Sequence, residues 1–407
     1  MGTIAVLGTL DTKGHEHAFV ADLIRAAGHR PLLIDVGTGG PPQVAADIPR
    51  EAVAAEGGID LAGLISRGDR GECVSAMAEA APRLLARLCR EGRIDGVISL
   101  GGGGGTAIAS AAMRPLPLGL PKLIVSTLAS GNTAAYVGTS DITLMPAVVD
   151  VCGLNRVSRV ILTRAAGAIC GMVSATPQVA AGRPLVVASM FGNTTRCVEA
   201  ARPLLEAAGY EVLVFHATGS GGRALEAIVA SGMVAGVLDI TTTELADELV
   251  GGVLSAGPDR CSAASRTGVP AIVVPGCLDM VNFGAAPSVP ARFAGRTLYV
   301  HNPQVTLMRT SVEECRELGR RLAMQVNAAT APTTVLIPRR GISVVSTAGG
   351  PFHDPAADEA LFAALEKTLR PGIGCISLDL EINDPAFAVA CATELLANIA
   401  AHRSGRP

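Results

Sequence analysis

Tryptophan is absent from this chain of 407 residues, and 3 Tyr with 8 Phe supply all its aromatic rings. Platforms for stacking nucleic-acid bases are nearly excluded, and the core has to be built from Val, Leu, Ile and Ala. Charge of one sign is lacking too: 33 Lys plus Arg stand against 36 Asp plus Glu, for a formal charge of -3. With no block of like charges there is no electrostatic footprint for nucleic acid or an anionic membrane, so neither is expected as a partner. The ten cysteines form no CxxC pair and have no histidines at metal-ligand spacing. They read as small buried hydrophobes of a reducing compartment. Uncharged stretches at 96–113 and 165–182 are interrupted by Gly, Ser, Thr and Pro, and neither reads as a membrane span. The N-terminus enters a strand at Ile4 with no basic leader, so the expected location is cytoplasmic.

What is present is 49% hydrophobic residues with only 17% charged, enough for a large core and against disorder. The length suggests two domains at roughly 100–200 residues each. Apolar β-rich runs at 4–7, 31–36, 96–100 and 123–126 alternate with Gly/Ser/Thr loops and amphipathic helical patterns, the first helix covering about 15–27. After Gly182-Arg183-Pro184 the rhythm restarts with runs at 185–190, 212–216, 234–240 and 271–274. Strands apolar on both faces and separated by helices predict α/β architecture, with mainly parallel sheets flanked by helices. The expected domains are 1–182 and 183–407. Asp354-Pro355 and Asp384-Pro385 each place a capping carboxylate before a proline and predict helices at about 355–369 and 385–401. The tail 402–407 is expected to fray.

Three loops carry the chemistry. Gly8-Thr9-Leu10-Asp11-Thr12-Lys13-Gly14 joins the first strand to a helix, where free backbone N–H groups attract phosphate. It fits neither the Walker A nor the GxGxxG template, and an ordinary turn capped by Asp11 or Thr12 is the competing reading. Only three lysines, 13, 122 and 367, stand among the 33 basic residues. Lys13 is therefore informative, as a compact ammonium for polyphosphate, whereas Lys122 reads as readily as structural. Asp11 is a candidate Mg²⁺ ligand as well as a cap. Gly101, Gly102, Gly103, Gly104 and Gly105, followed by Thr106, form a loop that no side chain blocks, read as an anion cradle rather than a hinge. Ser126, Thr127, Ser130, Gly131, Asn132 and Thr133, with Asp141 beyond, suit ribose, phosphate or metal contacts. Arg70 is a further phosphate candidate, against a solvated ion pair in the charged turn 67–72. One helix N-terminus contributes about 0.3–2 kcal/mol to an anion and micromolar affinity needs about 8 kcal/mol, so the loops have to converge. Cys277, after a strand, is a nucleophile candidate of a kind that is usually inert.

These strings, together with Gly153-Leu154-Asn155-Arg156, Phe352-His353-Asp354-Pro355 and Ile382-Asn383-Asp384-Pro385, carry a resemblance nearly end to end. The chain resembles the ATP-binding domain family related to the tomato mosaic virus resistance protein, an uncharacterised protein family. The resemblance implies two Rossmann-like subdomains, a nucleotide site mainly on the first, and a homodimer, with no reaction assigned. Gly103 or Gly104 stands where the family pattern suggests Ser, and Glu381 where it suggests His. The leading expectation is an ATP-binding protein using ATP with Mg²⁺, with ATP hydrolysis or phosphoryl transfer open. The alternatives are an enzyme acting on a small phosphorylated or carboxylated metabolite between the subdomains, and an interaction module with a structural nucleotide.

Overall fold

The computed structural model describes residues 1–176 and 182–405, and the chain divides into two compact units, Met1–Gln178 and Val179–Pro407. In the first unit the order is β1 (Thr3–Gly8), α1 (Leu10–Ala26), β2 (Arg30–Asp35), α2 (Arg50–Gly57), α3 (Leu61–Arg67), α4 (Arg70–Arg90), β3 (Gly96–Gly101), α5 (Gly103–Met113), β4 (Lys122–Ser126), α6 (Ala134–Val137), β5 (Thr143–Pro146) and α7 (Arg156–Ser174). The five strands lie in the order β2-β1-β3-β4-β5, all parallel. Because alternate residues of a strand face opposite sides, Ile4, Val6, Ile98 and Leu100 pack with α1 and α7 on one face. Ala5, Leu7, Val97 and Ile124 pack with α2, α4 and α5 on the other.

The second unit contains β6 (Leu185–Met190), α8 (Thr195–Ala207), β7 (Glu211–His216), α9 (Ser220–Ala230), β8 (Val234–Thr241), α10 (Glu244–Val250), α11 (Ala263–Thr267), β9 (Ala271–Gly276), β10 (Met280–Phe283), β11 (Leu298–Asn302), β12 (Val305–Arg309), α12 (Val312–Asn327), β13 (Thr333–Pro338), α13 (Pro355–Thr368), β14 (Gly374–Leu378) and α14 (Pro385–Ser404). Six parallel strands run in the order β14-β13-β9-β8-β6-β7, beside a three-stranded antiparallel sheet β10-β12-β11. The α/β architecture with mainly parallel sheets flanked by helices is what the alternating pattern predicts, and the two Rossmann-like subdomains are what the resemblance implies; the antiparallel ribbon is neither. Asp354 and Asp384 cap α13 and α14 through their side chains. α14 continues to Ser404, so the tail does not fray at 402; residues 406 and 407 lie outside the described residues. α7 and α14 are long and apolar enough by composition to cross a membrane, but each buries one stripe against its sheet, Leu162, Ala165 and Ile169 in one and Phe387, Cys391 and Leu395 in the other. Seven of the ten cysteines are buried, whereas Cys152 and Cys375 are exposed, against the reading of all ten as core residues.

Arg260 in the second unit is fully buried. It donates to both oxygens of Asp239 at 2.6 and 2.7 Å and to Glu244 at 2.6 Å. Among the described residues two other buried carboxyls, Asp247 and Asp279, make no such ion pair, whereas Asp358 is paired with Arg309 at 2.6 Å. Asp247 accepts from the Asn282 and Leu254 backbone N–H groups and from the Asn282 side-chain amide at 2.7 Å, and burial pushes its carboxyl up to about 7. Burial likewise pushes Asp279 to about 6 against the attraction of Arg309. A carboxyl whose folded value lies above its unfolded value of 3.8 binds its proton more tightly when folded. Its stabilisation is complete below the unfolded value and is lost as pH rises through the folded one. His17 in the first unit is held neutral by burial, and it opposes this trend only below its ordinary value of 6.5. The melting temperature of wild type is therefore expected to fall as pH rises from about 4 to 7, and to level off above, relative to that of Asp247→Asn, which cannot ionise. Differential scanning fluorimetry across that range checks this; parallel pH profiles for the two proteins would refute the assignment.

Candidate functional site

Parallel pairing puts Gly8 opposite Asp35, Gly101 opposite Ser126, and Ser126 opposite Pro146. The loops after β1, β3 and β4 therefore open on the same, carboxyl, edge of the sheet. Between β1 and β3 the strand order reverses, because β2 follows β1 on one side and β4 follows β3 on the other. Right-handed crossovers then send α1 and α5 to opposite faces and leave a crevice between their N-termini, where open α/β sheets bind ligands.

The glycine loop is shorter than the sequence suggests. α5 starts at Gly103, so only Gly102 lies between strand and helix, and no side chain caps that helix. Its first intrahelical bond runs from the Thr106 N–H to the Gly102 carbonyl at 2.9 Å, which leaves the N–H groups of Gly103, Gly104 and Gly105 without an intrahelical acceptor. At Gly101 packing favours glycine, since a Cβ would crowd the backbone at 3.0 Å from the Gly105 Cα. At 102–105 it does not. A Cβ there would meet Thr127 Oγ1 at 3.7 Å, Leu128 Cδ1 at 4.0 Å, Val74 Cγ2 at 3.4 Å and the Leu100 carbonyl at 3.5 Å, all ordinary contacts. Gly is a poorer helix former than Ala, by up to about 0.8–1 kcal/mol in a helix interior, so the first turn of α5 carries residues of low propensity that packing itself does not demand.

Arg70 is the first residue of α4. The charged turn does contain the ion pair set against it in the sequence reading, but Arg67 makes it, with two bonds to Glu72 at 2.5 and 2.9 Å. Asp69 caps α4 by accepting the Glu72 N–H. Arg70 is left exposed, one helical turn from the Val74 side chain that lies over Gly104.

Several other expected contacts are engaged elsewhere. α1 begins at Leu10, not near His15, because Asp35 at the end of β2 accepts the Leu10 N–H at 3.0 Å and supplies the cap from a neighbouring strand. Thr9, Asp11, Thr12 and Lys13 thus lie at the start of a helix rather than in an open loop. The Thr9 and Thr12 hydroxyls meet at 3.1 Å. Asp11 turns toward the loop after β2, where its Oδ2 accepts the Gly39 N–H at 2.6 Å, so as a metal ligand it is not aimed at the glycine turn. Lys13 leaves helical geometry (φ −132°, ψ 26°), and its ammonium donates to the Val151 carbonyl; it ties the β5–α7 loop to α1. The Thr106 and Ser126 hydroxyls are buried and bonded to each other at 2.7 Å. Asn132 accepts the Ala134 N–H at the start of α6, while Ser130 and Gly131 are exposed and Thr133 half-buried. Asp141 is at the wrong edge: it precedes β5 and pairs with buried Lys122 at the amino end of β4. Its carboxyl is lowered by that ammonium against the opposing effect of burial. Lys122 is structural. The crevice therefore brings together Gly8, Gly101–Gly105, Thr127 and the first turns of α1 and α4, and leaves Asp141 out.

Three residues that matter here were not singled out from sequence. Asp35 is buried and also accepts the Gly37 N–H at 2.8 Å; burial raises its carboxyl, and its position at the end of the second strand was the available signal. Glu16 accepts the Gly153 N–H at 2.5 Å. His17 is completely buried, and its Nδ1–H donates to the Lys13 carbonyl at 2.7 Å. A pocket of about 340 Å³ opens between the ends of β4 and β5, lined by Ser126, Thr127, Ser130 and residues 146–150.

The glycine-rich turn of the second unit contrasts with this. Glu244 Oε1 accepts the Gly219 and Gly222 N–H groups at 2.6 and 3.0 Å, so a buried carboxylate already occupies the α9 N-terminus. Cys277 is fully buried with φ +59°, and burial pushes its thiol well above its ordinary range, opposite to what a nucleophile needs. Among the described residues no three His, Cys, Asp or Glu side chains are grouped to hold a metal.

Two family models divide the chain as the architecture does. The N-terminal domain of the uncharacterised protein family UPF0261 matches residues 2–178, and its C-terminal domain matches residues 183–399. The chain belongs to the UPF0261 family. It is 47% identical to a UPF0261 protein of Clostridium tetani over 97% of this chain and 98% of that one. With a UPF0261 protein of Rhizobium meliloti it shares 51% identity over 96% and 97%. It is also 43% identical to the ToMV resistance protein Tm-1(GCR237) of Solanum lycopersicum, over 80% of this chain and 44% of that longer protein.

Within this UPF0261 chain, the His17 ring explains Gly8. A Cβ at position 8 would lie 2.0 Å from His17 Nε2. Gly8→Ala is expected to destabilise the first unit by about 1–3 kcal/mol through overpacking, and adding His17→Ala to recover most of that loss. Chemical denaturation of the single and double variants measures this; equal losses in both would show that the ring does not set the requirement.

Proposed function

We propose that this UPF0261 protein binds ATP, with the phosphates on the N-terminal turn of α5 and Arg70 beside them. The observation that carries the reading is the run Gly103–Gly105, where bare backbone stands against helix propensity although side chains would fit. An anion lying directly on the backbone is what a Cβ at these positions would obstruct. Three uncapped N–H groups, a helix dipole and one guanidinium add to more than a single helix end supplies. In this reading Lys13 is a strut for the β5–α7 loop. Mg²⁺ would be held chiefly by the phosphates and water, since Asp11 is engaged with the Gly39 N–H.

Calorimetry with ATP and Mg²⁺ tests the proposal. Gly103→Ala and Gly104→Ala are expected to melt at or above the wild-type temperature, since each improves helix propensity, yet to bind ATP at least about tenfold more weakly. Arg70→Ala is expected to lose about tenfold or more, in line with a hydrogen bond to a charged group at about 1.5–3 kcal/mol. Wild-type affinity in all three variants, or no heat of binding with the wild-type protein, contradicts the assignment.

A further inference from the structure

We propose that the pocket between the carboxyl ends of β4 and β5 receives the nucleoside of the bound nucleotide, Asp150 accepting from the ribose hydroxyls and Val148 lying against the base. This rests on the phosphate reading above and extends it to the rest of the ligand.

The pocket and the glycine turn are continuous. Ser126 and Thr127 line the pocket, the Thr127 N–H donates to the Gly101 carbonyl at 3.2 Å, and its Oγ1 lies 3.7 Å from where a Gly102 Cβ would stand. A volume of about 340 Å³ falls at the lower end of small-molecule sites, at roughly 300–1,000 Å³. It suits part of a nucleotide better than the whole.

The far wall is held in an unusual shape. Val148 has φ +65°, a left-handed conformation that a β-branched residue avoids, and it is 74% exposed. Core packing therefore gives no reason for a valine here. Val148 is the central residue of a three-residue turn closed by the Val149 N–H on the Ala147 carbonyl at 2.7 Å, and a second such turn follows from the Cys152 N–H to the Asp150 carbonyl at 2.9 Å. Beyond them α1 braces the loop twice, through Lys13 to the Val151 carbonyl and through Glu16 to the Gly153 N–H. Strain persists where surroundings over-determine it, and such positions cluster at ligand sites. Asp150, between the strained valine and the Lys13 strut, is exposed, and its carboxylate has no ion pair or hydrogen bond among the described residues. A carboxylate offers two acceptor oxygens and a vicinal diol offers two donors. With no aromatic ring in the lining, the base is recognised by aliphatic contact.

Calorimetry with ATP, 2′-deoxy-ATP and inorganic tripolyphosphate, each with Mg²⁺, separates the two ends of the ligand. Wild type is expected to bind ATP at least tenfold more tightly than tripolyphosphate. Asp150→Ala and Val148→Gly are expected to lose that margin while tripolyphosphate affinity holds, and Asp150→Ala to bind ATP and 2′-deoxy-ATP equally. Val148→Gly removes the strain together with the side chain, so its melting temperature is expected not to fall, which separates loss of contact from loss of fold. If both phosphate ligands bind but the variants keep the wild-type margin, the pocket assignment is overturned and the phosphate site stands. If neither ligand binds wild type, the phosphate reading fails and takes this one with it.

Discussion

The reversal of strand order between β1 and β3 governs everything else in the first unit. Parallel strands carry all their carboxyl ends to one edge, and the reversal parts the helices that follow, so that the α1 and α5 N-termini face a common gap. Neither helix needs to be exceptional for this; the handedness of the crossovers is enough. What is particular to this chain is how the two helix ends are treated. Asp35 takes up the first N–H of α1 from the neighbouring strand, and Lys13 and Glu16 reach from α1 to the loop beyond β5. One side of the gap is thus tied down internally, while the α5 side is left as bare amide.

The second unit has a glycine-rich helix start that a side chain closes. Its strand order also reverses, between β6 and β8, although the glycine-rich turn that opens α9 follows the edge strand β7 and not one of the strands at the reversal. There Glu244 fills the helix N-terminus and joins Arg260 and Asp239 in a buried network. Removing one member of such a network leaves an uncompensated charge, which is expensive; the carboxylate is part of the core. In the first unit no side chain caps α5 at Gly103–Gly105, and it is there that the phosphate site is proposed.

Much of this was legible in the residues. Continuous apolar runs such as Ile4–Leu7 and Leu123–Val125, bounded by glycine-rich loops and alternating with helical patterns, read as strands covered on both faces, and Asp-Pro at 354–355 and 384–385 marks two helix starts. Convergence of the loops followed from parallel topology. The finer placement did not, because it depends on partners remote in sequence. Nothing local reveals that Asp35 would cap α1, that Lys13 would reach a carbonyl more than a hundred residues away, or that Asp141 would be drawn to buried Lys122 at the opposite edge. Hydroxyls and carboxylates near a strand end look alike in sequence whether they face a ligand or each other, as Thr106 and Ser126 do. Val148 carried no signal, since its information lies in a backbone angle. The antiparallel ribbon β10-β12-β11 was missed for a related reason: its short strands sit in a stretch that the parallel rhythm of the rest predicts as connection.

A crystal structure of the protein grown with saturating ATP and Mg²⁺ tests the central claim most directly. The account predicts phosphate oxygens about 2.7–3.2 Å from the backbone nitrogens of Gly103–Gly105, with the α5 helix axis pointing at them. Well-ordered nucleotide density at any other place, with that turn facing only solvent, would contradict it.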